Sequence, residues 1–182
     1  MKKLIVILSL MFSQLAYGKE DVCKNNRLFC KIMQFDKHTD PKFAMELSNK
    51  IFAKAKANGV DPNVALAILM HESGLRNINT YKTSTVVSEV CNNQECGKTT
   101  TTVEKLFDMS IAQINFNTAQ GYGFDIPKLY KGDLDYALDC YMTILRDKIH
   151  LCPQLGRDAW SCYHSTTEQY RIIYVELVSR YL

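Results

Sequence analysis

No part of this chain constrains its fold more than Asp61-Pro-Asn-Val-Ala-Leu-Ala-Ile-Leu-Met-His-Glu-Ser-Gly-Leu75. Asp61 suits an N-cap, its side-chain oxygen accepting from an otherwise unpaired N–H. Pro62 fits the first helical position, where no N–H is needed. Val64 to Met70 runs without a polar break. A helix apolar on every side must be buried on every side, so this one is expected to be the central rod of a domain. Gly74 supplies the left-handed residue that ends helices. Glu72 then falls in the last turn of a buried helix, where desolvation and the negative end of the helix dipole both favour the protonated acid. A carboxyl group so placed is prepared to donate a proton near neutral pH. The alternative is an ordinary surface carboxylate just past the buried stretch, and this segment alone leaves both open.

The 182-residue chain opens with the pattern of a secretory signal. Lys2 and Lys3 form the basic start, Leu4 to Phe12 the apolar core, and Ala16-Tyr17-Gly18 the small residues of a cleavage site. The apolar run is shorter than the roughly 20 residues that a membrane-spanning helix needs. Residues 1–18 are expected to be removed near Gly18, leaving a single domain over 19–182 in the periplasm or outside the cell. Without Lys2 and Lys3, 20 basic residues stand against 19 acidic ones, too even a balance for nucleic acid to be a partner. All seven cysteines, at 23, 30, 91, 96, 140, 152 and 162, fall after the signal. Export makes disulfides the default for them, and an odd number leaves one thiol over. The local pairs Cys23–Cys30, Cys91–Cys96 and Cys152–Cys162 are the candidates, with Cys140 left. No Cys-x-x-Cys pair or His-x-x-x-His spacing offers a metal site.

Residues 19–39 are polar and irregular in pattern. Asp40-Pro41 then repeats the helix start. Phe43, Ala44, Leu47, Ile51, Phe52 and Ala55 recur at helical spacing until Asn58-Gly59, with Lys42, Lys50, Lys54 and Lys56 as the solvated face. After Leu75 the composition turns to Thr and Val over 83–90 and 98–103, with the polar Cys91-Asn-Asn-Gln-Glu-Cys96 between. This pattern predicts a β-hairpin, the alternative being a low-complexity loop at the Thr run 99–102. Helical segments are expected to resume from about Ser110. Asp133 to Ile149 carries Leu134, Ala137, Leu138, Tyr141, Met142, Leu145 and Ile149 on one face. Pro153 and Gly156 mark a loop. From Thr167 a last helix carries Tyr170, Ile173, Tyr174, Leu177, Val178 and Tyr181. The fold class is α+β, predominantly α-helical, with a central buried helix and a small β-hairpin insert.

His71-Glu72 opens like a zinc-protease helix, but Leu75 stands where the second histidine is needed. There is no Gly-x-Ser-x-Gly elbow and no phosphate loop. Three segments remain: Glu72-Ser-Gly-Leu75, Asp108-Met-Ser-Ile-Ala-Gln-Ile-Asn115, and Cys162-Tyr-His-Ser165 ahead of Tyr174-Val-Glu-Leu-Val178. In that order they resemble the lytic transglycosylases and goose-type lysozymes, over roughly Asp61 to the C-terminus. In that family an Ala-rich helix ends in Glu-Ser-Gly and a Gly-Leu-Met-Gln-Ile-Asn segment follows. A Tyr-Asn-Ala-Gly segment then precedes a Tyr-Val-x-x-Val helix. Here Ser110 replaces the Gly and Ala112 the Met, while His164 and Thr166 stand for Asn and Gly.

The resemblance implies a lysozyme-like fold and cleavage of the β-1,4 bond between N-acetylmuramic acid and N-acetylglucosamine in peptidoglycan. Glu72 is then the catalytic acid. Ser73, Gln113, Asn115, Tyr163 and His164 are the substrate-binding candidates, with the Tyr163 hydroxyl placed beside the acid. No cofactor and no metal is implied, a monomer is expected, and the partner is the glycan strand. A transglycosylase needs no second carboxylate, because ionised Glu72 takes the proton from the sugar's own 6-hydroxyl as a 1,6-anhydro ring closes. A hydrolytic, inverting lysozyme needs a base roughly 6.5–9.5 Å away. Glu89, Glu95 and Asp108 are the candidates for it, Glu89 first among them. A reading from another class is a weakly active glycan-binding component of an envelope-spanning secretion or pilus machine.

Overall fold

Asn26 accepts a hydrogen bond from Phe29 N and so caps a helix over Arg27–Phe35, which buries Leu28 and Ile32 one turn apart. The sequence pattern predicts irregular chain here. One apolar turn is too short to stand as a helix alone, and packing supplies the rest. The computed structural model describes residues 23–92 and 95–182, with the backbone alone at 86, 88–92, 95–97, 99 and 157. The expected signal at 1–18 lies outside them. A Cys23–Cys30 disulfide staples the start of the described chain.

Asp40 caps the next helix, Pro41–Ala57, by accepting from Lys42 N. Its Ala44, Leu47, Ile51 and Ala55 are buried as the spacing requires, but Phe52 is exposed. This helix packs on Arg27–Phe35. The described residues gather into two compact units that divide between Leu66 and Ala67.

The division falls within the helix Pro62–Ser73. Asp61 Oδ1 accepts from Asn63 N at its start, and residues 65–70 are all buried. Gly74 ends it in the left-handed region with φ 61°, and Leu75 follows with φ 63°. For Leu75 that conformation costs roughly 1–2 kcal/mol, and its buried side chain holds it there.

In the second unit a long antiparallel hairpin joins Tyr81–Asn92 to Glu95–Leu106, pairing Tyr81 with Leu106 and Cys91 with Cys96. The Thr run is therefore strand, and the hairpin is longer at both strands than the composition marks. The Cys91–Cys96 bond and the side chains of Glu89 and Glu95 lie outside the described residues. A two-residue ladder then sets Asp108–Met109 against Ile114–Asn115. Helix resumes only with Phe116–Gly121, where Asn115 caps by accepting from Asn117 N, rather than at Ser110. The intervening turn is held open by positive φ at Ser110 (66°) and Gln113 (48°), which no helix allows.

Asp133 caps the long helix Leu134–Leu151, which buries Ala137, Leu138, Tyr141, Met142 and Leu145. Between the disulfide partners Cys152 and Cys162 the chain is 3₁₀-helical over Pro153–Tyr163, broken at Gly156 (φ 54°), rather than an open loop. The last helix, Glu168–Ser179, buries Tyr174 and Val178, while Tyr170 and Ile173 of the expected stripe stay exposed. Among the described residues Cys140 is a free thiol, and it is buried. The molecule is mostly helical with small antiparallel sheets, an α+β arrangement. Among the described residues no helix is long and apolar enough to cross a membrane.

Candidate active site

Glu72 Oε1 accepts a 2.6 Å hydrogen bond from the Tyr174 hydroxyl, and Oε2 has no partner among the described residues. Burial pushes the Glu72 carboxyl up, the Tyr174 hydrogen bond pulls it back, and the Asp108 charge raises it again. The balance lies at about 7, against an ordinary value of 4.5. Tyr174 stays a neutral donor, because burial and the Glu72 charge hold its phenol well above the ordinary range. Its ring is stacked on His164 with centroids 4.8 Å apart and meets His71 edge-on at 5.4 Å. Burial, and then the charges of His164 and Arg180, lower His71 below its ordinary range.

The three segments singled out in the sequence are joined at the turn 110–113. The Ser73 hydroxyl donates to Ile111 O at 2.6 Å, and the Tyr163 hydroxyl donates to Ala112 O at 2.9 Å. Gln113 Nε2 donates to Ser110 O and to Ile78 O, each at 2.8 Å. Every carbonyl from Ser110 to Ala112 is thereby held. That clamping is what keeps Ser110 and Gln113 in a conformation costly for residues with a Cβ.

These contacts revise several expected roles. Ser73 is buried at 3 % exposure and acts as a pin between the Glu72 helix and the turn, not as a substrate contact. The hydroxyl on Glu72 belongs to Tyr174, not Tyr163. Tyr163 instead holds Ala112 and packs edge-on against buried Tyr141 at 5.3 Å. Tyr174 was legible only as an apolar position of the last helix. Its place at the head of Tyr174-Val-Glu-Leu-Val178 was the available signal, but its partner lies 102 residues away in the chain.

Glu72, Asp108, Gln113, Asn115, Tyr163 and His164 line one cavity of about 370 Å³, with Phe107, Ile144 and Lys148 among its other walls. Gln113 has its amide nitrogen committed to backbone carbonyls, which leaves Oε1 for the cavity. Asn115 Nδ2 donates to Asp108 Oδ1 at 3.2 Å and to Phe107 O at 3.3 Å. Burial raises the Asp108 carboxyl, while hydrogen bonds from Asn115 and Thr80 and the Lys82 charge work against that rise. Of the candidate bases, Asp108 lines this cavity, while the side chains of Glu89 and Glu95 lie outside the described residues. Among the described residues no cluster of His, Cys, Asp and Glu could hold a metal ion.

No protein family, curated protein or solved structure matches the chain.

What the cavity can do therefore follows from its own chemistry. It presents one carboxyl group poised between its two protonation states, a neutral phenol that steadies the ionised form, and amide and imidazole groups along the wall. Such a set can give a proton to a leaving oxygen and take one back from a hydroxyl. It suits general acid–base work on an uncharged polar substrate.

Proposed function

We propose that the protein is an exported peptidoglycan glycosidase of the lytic transglycosylase type, built on a lysozyme-like fold. The observation that carries this reading is Glu72, a carboxyl at the end of a buried helix, raised to about 7 and facing a polar cavity. The meeting of the three family-like segments at one turn supports it. In the proposed reaction Glu72 protonates the glycosidic oxygen of the departing N-acetylglucosamine, and the bond from the muramic C1 to that oxygen breaks. Positive charge develops at C1 while the Tyr174 hydroxyl stabilises the new carboxylate. Glu72 then removes the proton from the muramic 6-hydroxyl, whose oxygen closes on C1 to give the 1,6-anhydro end. Glu72 returns to its acid form, and no water is consumed. A pKa near 7 serves both halves of this cycle.

Asp108 favours a second reading, hydrolysis. A raised carboxyl in the same cavity as Glu72 is a candidate to activate water. Mass spectrometry of the fragments released from purified peptidoglycan tests both. Anhydro ends from the wild type and none from Glu72→Gln are expected. Reducing ends, heavier by one water, together with collapse of activity in Asp108→Asn, would replace transglycosylation by hydrolysis. Equal wall clearing by Glu72→Gln and the wild type would remove Glu72 from the mechanism.

A further inference from the structure

At the foot of the hairpin the register sets Lys82 directly opposite Lys105, so both side chains leave the same face of the ribbon. Like charges directly opposite in an antiparallel pair destabilise it. Among the described residues neither ammonium has a carboxylate within ion-pair distance. Both lysines line a second cavity of about 640 Å³, together with Ser84, Phe107, Asn115 and Asn117. Lys82 Nζ sits 3.9 Å above the centre of the Phe107 ring, which fixes one ammonium against that wall. Phe107 and Asn115 also line the Glu72 cavity, so the two cavities share a wall. Two cations on one face beside a concave space, neither in an ion pair and only Lys82 feeling the Asp108 charge, make a site for an anion.

We propose that this second cavity is a subsite for the carboxylates of the peptide carried by muramic acid, so that the enzyme selects peptide-substituted glycan strands over bare ones. The proposal rests on the glycosidase reading above. In a peptide-substituted acetylated strand the muramic lactyl carboxyl is tied up as the amide to the peptide, so the anionic groups are the free carboxylates of that peptide. That peptide leaves the very sugar whose C1 is attacked at Glu72. The two cavities share the wall of Phe107 and Asn115, so an acidic branch leaving that sugar has its neighbouring space in the second cavity. Lys82 and Lys105 supply the opposite charge, and the side-chain amide of Asn117 offers donors and an acceptor to the peptide backbone.

The test compares two substrates made from one preparation, glycan strands with their peptides and the same strands stripped by an amidase, the lactyl carboxylates so freed being capped as methylamides. Lys105→Gln is the leading variant, because Lys82 also contacts Phe107 and acts on Asp108. The wild type is expected to show a higher kcat/KM on peptide-bearing strands. Each neutralised lysine should cut that preference about two- to five-fold, the range for an exposed ion pair. Lys105→Glu should cut it further, and added salt should erode it. Equal rates on the two substrates in the wild type, or a preference unchanged in Lys105→Gln, would overturn the proposal. A second readout needs no turnover. Free tetrapeptide stem added to Glu72→Gln should shift the backbone amide signals of Lys82, Ser84, Lys105 and Asn117, and should not do so once Lys105→Glu is added. Absence of those shifts also overturns it. Failure to cleave either substrate, with the peptide shifts intact, would instead refute the glycosidase reading and leave the anion site standing.

Discussion

Replacing Tyr174 by Phe removes one hydroxyl and keeps the ring that packs on His164 and His71. The hydroxyl donates to Glu72 Oε1 at 2.6 Å, a bond that is strongest when Glu72 is ionised. Hydrogen bonds to charged groups contribute about 1.5–3 kcal/mol and neutral ones about 0.5–1.5 kcal/mol, so the bond favours the carboxylate by about 1–1.5 kcal/mol. At 1.36 kcal/mol per unit, its loss should move Glu72 upward by about one unit, from about 7 towards 8. A general acid works only while protonated, so the alkaline limb of the pH–rate profile should move up by the same amount. The ionised Glu72 formed after proton transfer also loses its partner, and kcat should fall about ten-fold for 1.4 kcal/mol while KM holds. Peptidoglycan turnover followed from pH 5 to 10 reads the limb, and carbon-13 NMR of the Glu72 carboxyl reads the titration directly. A limb that stays in place, or moves down, would refute the assignment of Tyr174 as the group that steadies ionised Glu72.

Glu72→Gln should make the protein more stable at neutral pH. The native state holds the Glu72 proton up to about pH 7 while an ordinary carboxyl releases it near 4.5. The native state therefore binds more protons in that window, and stability falls as pH rises through it, by at most about 3 kcal/mol. Melting temperatures of the two proteins should converge below pH 4.5 and part above it with the variant higher, each kcal/mol amounting to roughly 2–4 °C; a gap independent of pH would contradict this. Ser73→Ala leaves Ile111 O without its 2.6 Å donor and should lower stability by about 1–3 kcal/mol, read by urea unfolding, with a loss of turnover as the turn loosens. Ser110→Gly should do the reverse, adding about 0.5–1 kcal/mol by relieving φ 66°. Its hydroxyl makes only a 3.5 Å contact to Ala112 N, so little is forfeited, and unchanged or lower urea stability would count against strain at that position.

Elements ruled by local rules were legible from the chain alone. Asp40-Pro41, Asp61-Pro62 and Asp133 mark helix starts because capping is a contact between near neighbours. The unbroken apolar run 64–70 demanded burial, and residues 65–70 are buried. The Cys23–Cys30 and Cys152–Cys162 disulfides are among the local pairings that short spacing offers as possibilities. Glu72 was marked as an awkward acid by the same reasoning. Boundaries that depend on packing were not legible: the helix Arg27–Phe35, the late resumption of helix at Phe116, and the exposure of Phe52, Tyr170 and Ile173.

Which hydroxyl meets Glu72 was beyond the sequence. Tyr163 and Tyr174 are both tyrosines near the C-terminal end, and nothing local separates them. The tertiary structure decides by sending Tyr163 to the carbonyl of Ala112 and Tyr174 to the carboxyl of Glu72. Likewise the chain names Glu89, Glu95 and Asp108 as carboxylates, but only the ladder Asp108–Met109 with Ile114–Asn115 brings Asp108 into the Glu72 cavity. The sequence alone could determine which side chains are able to move a proton, because ionisation and burial preference belong to residue types in local patterns. The Glu72 value of about 7 and the partners of these groups came from desolvation and hydrogen bonds between segments far apart in the chain, and those exist only once the chain is folded.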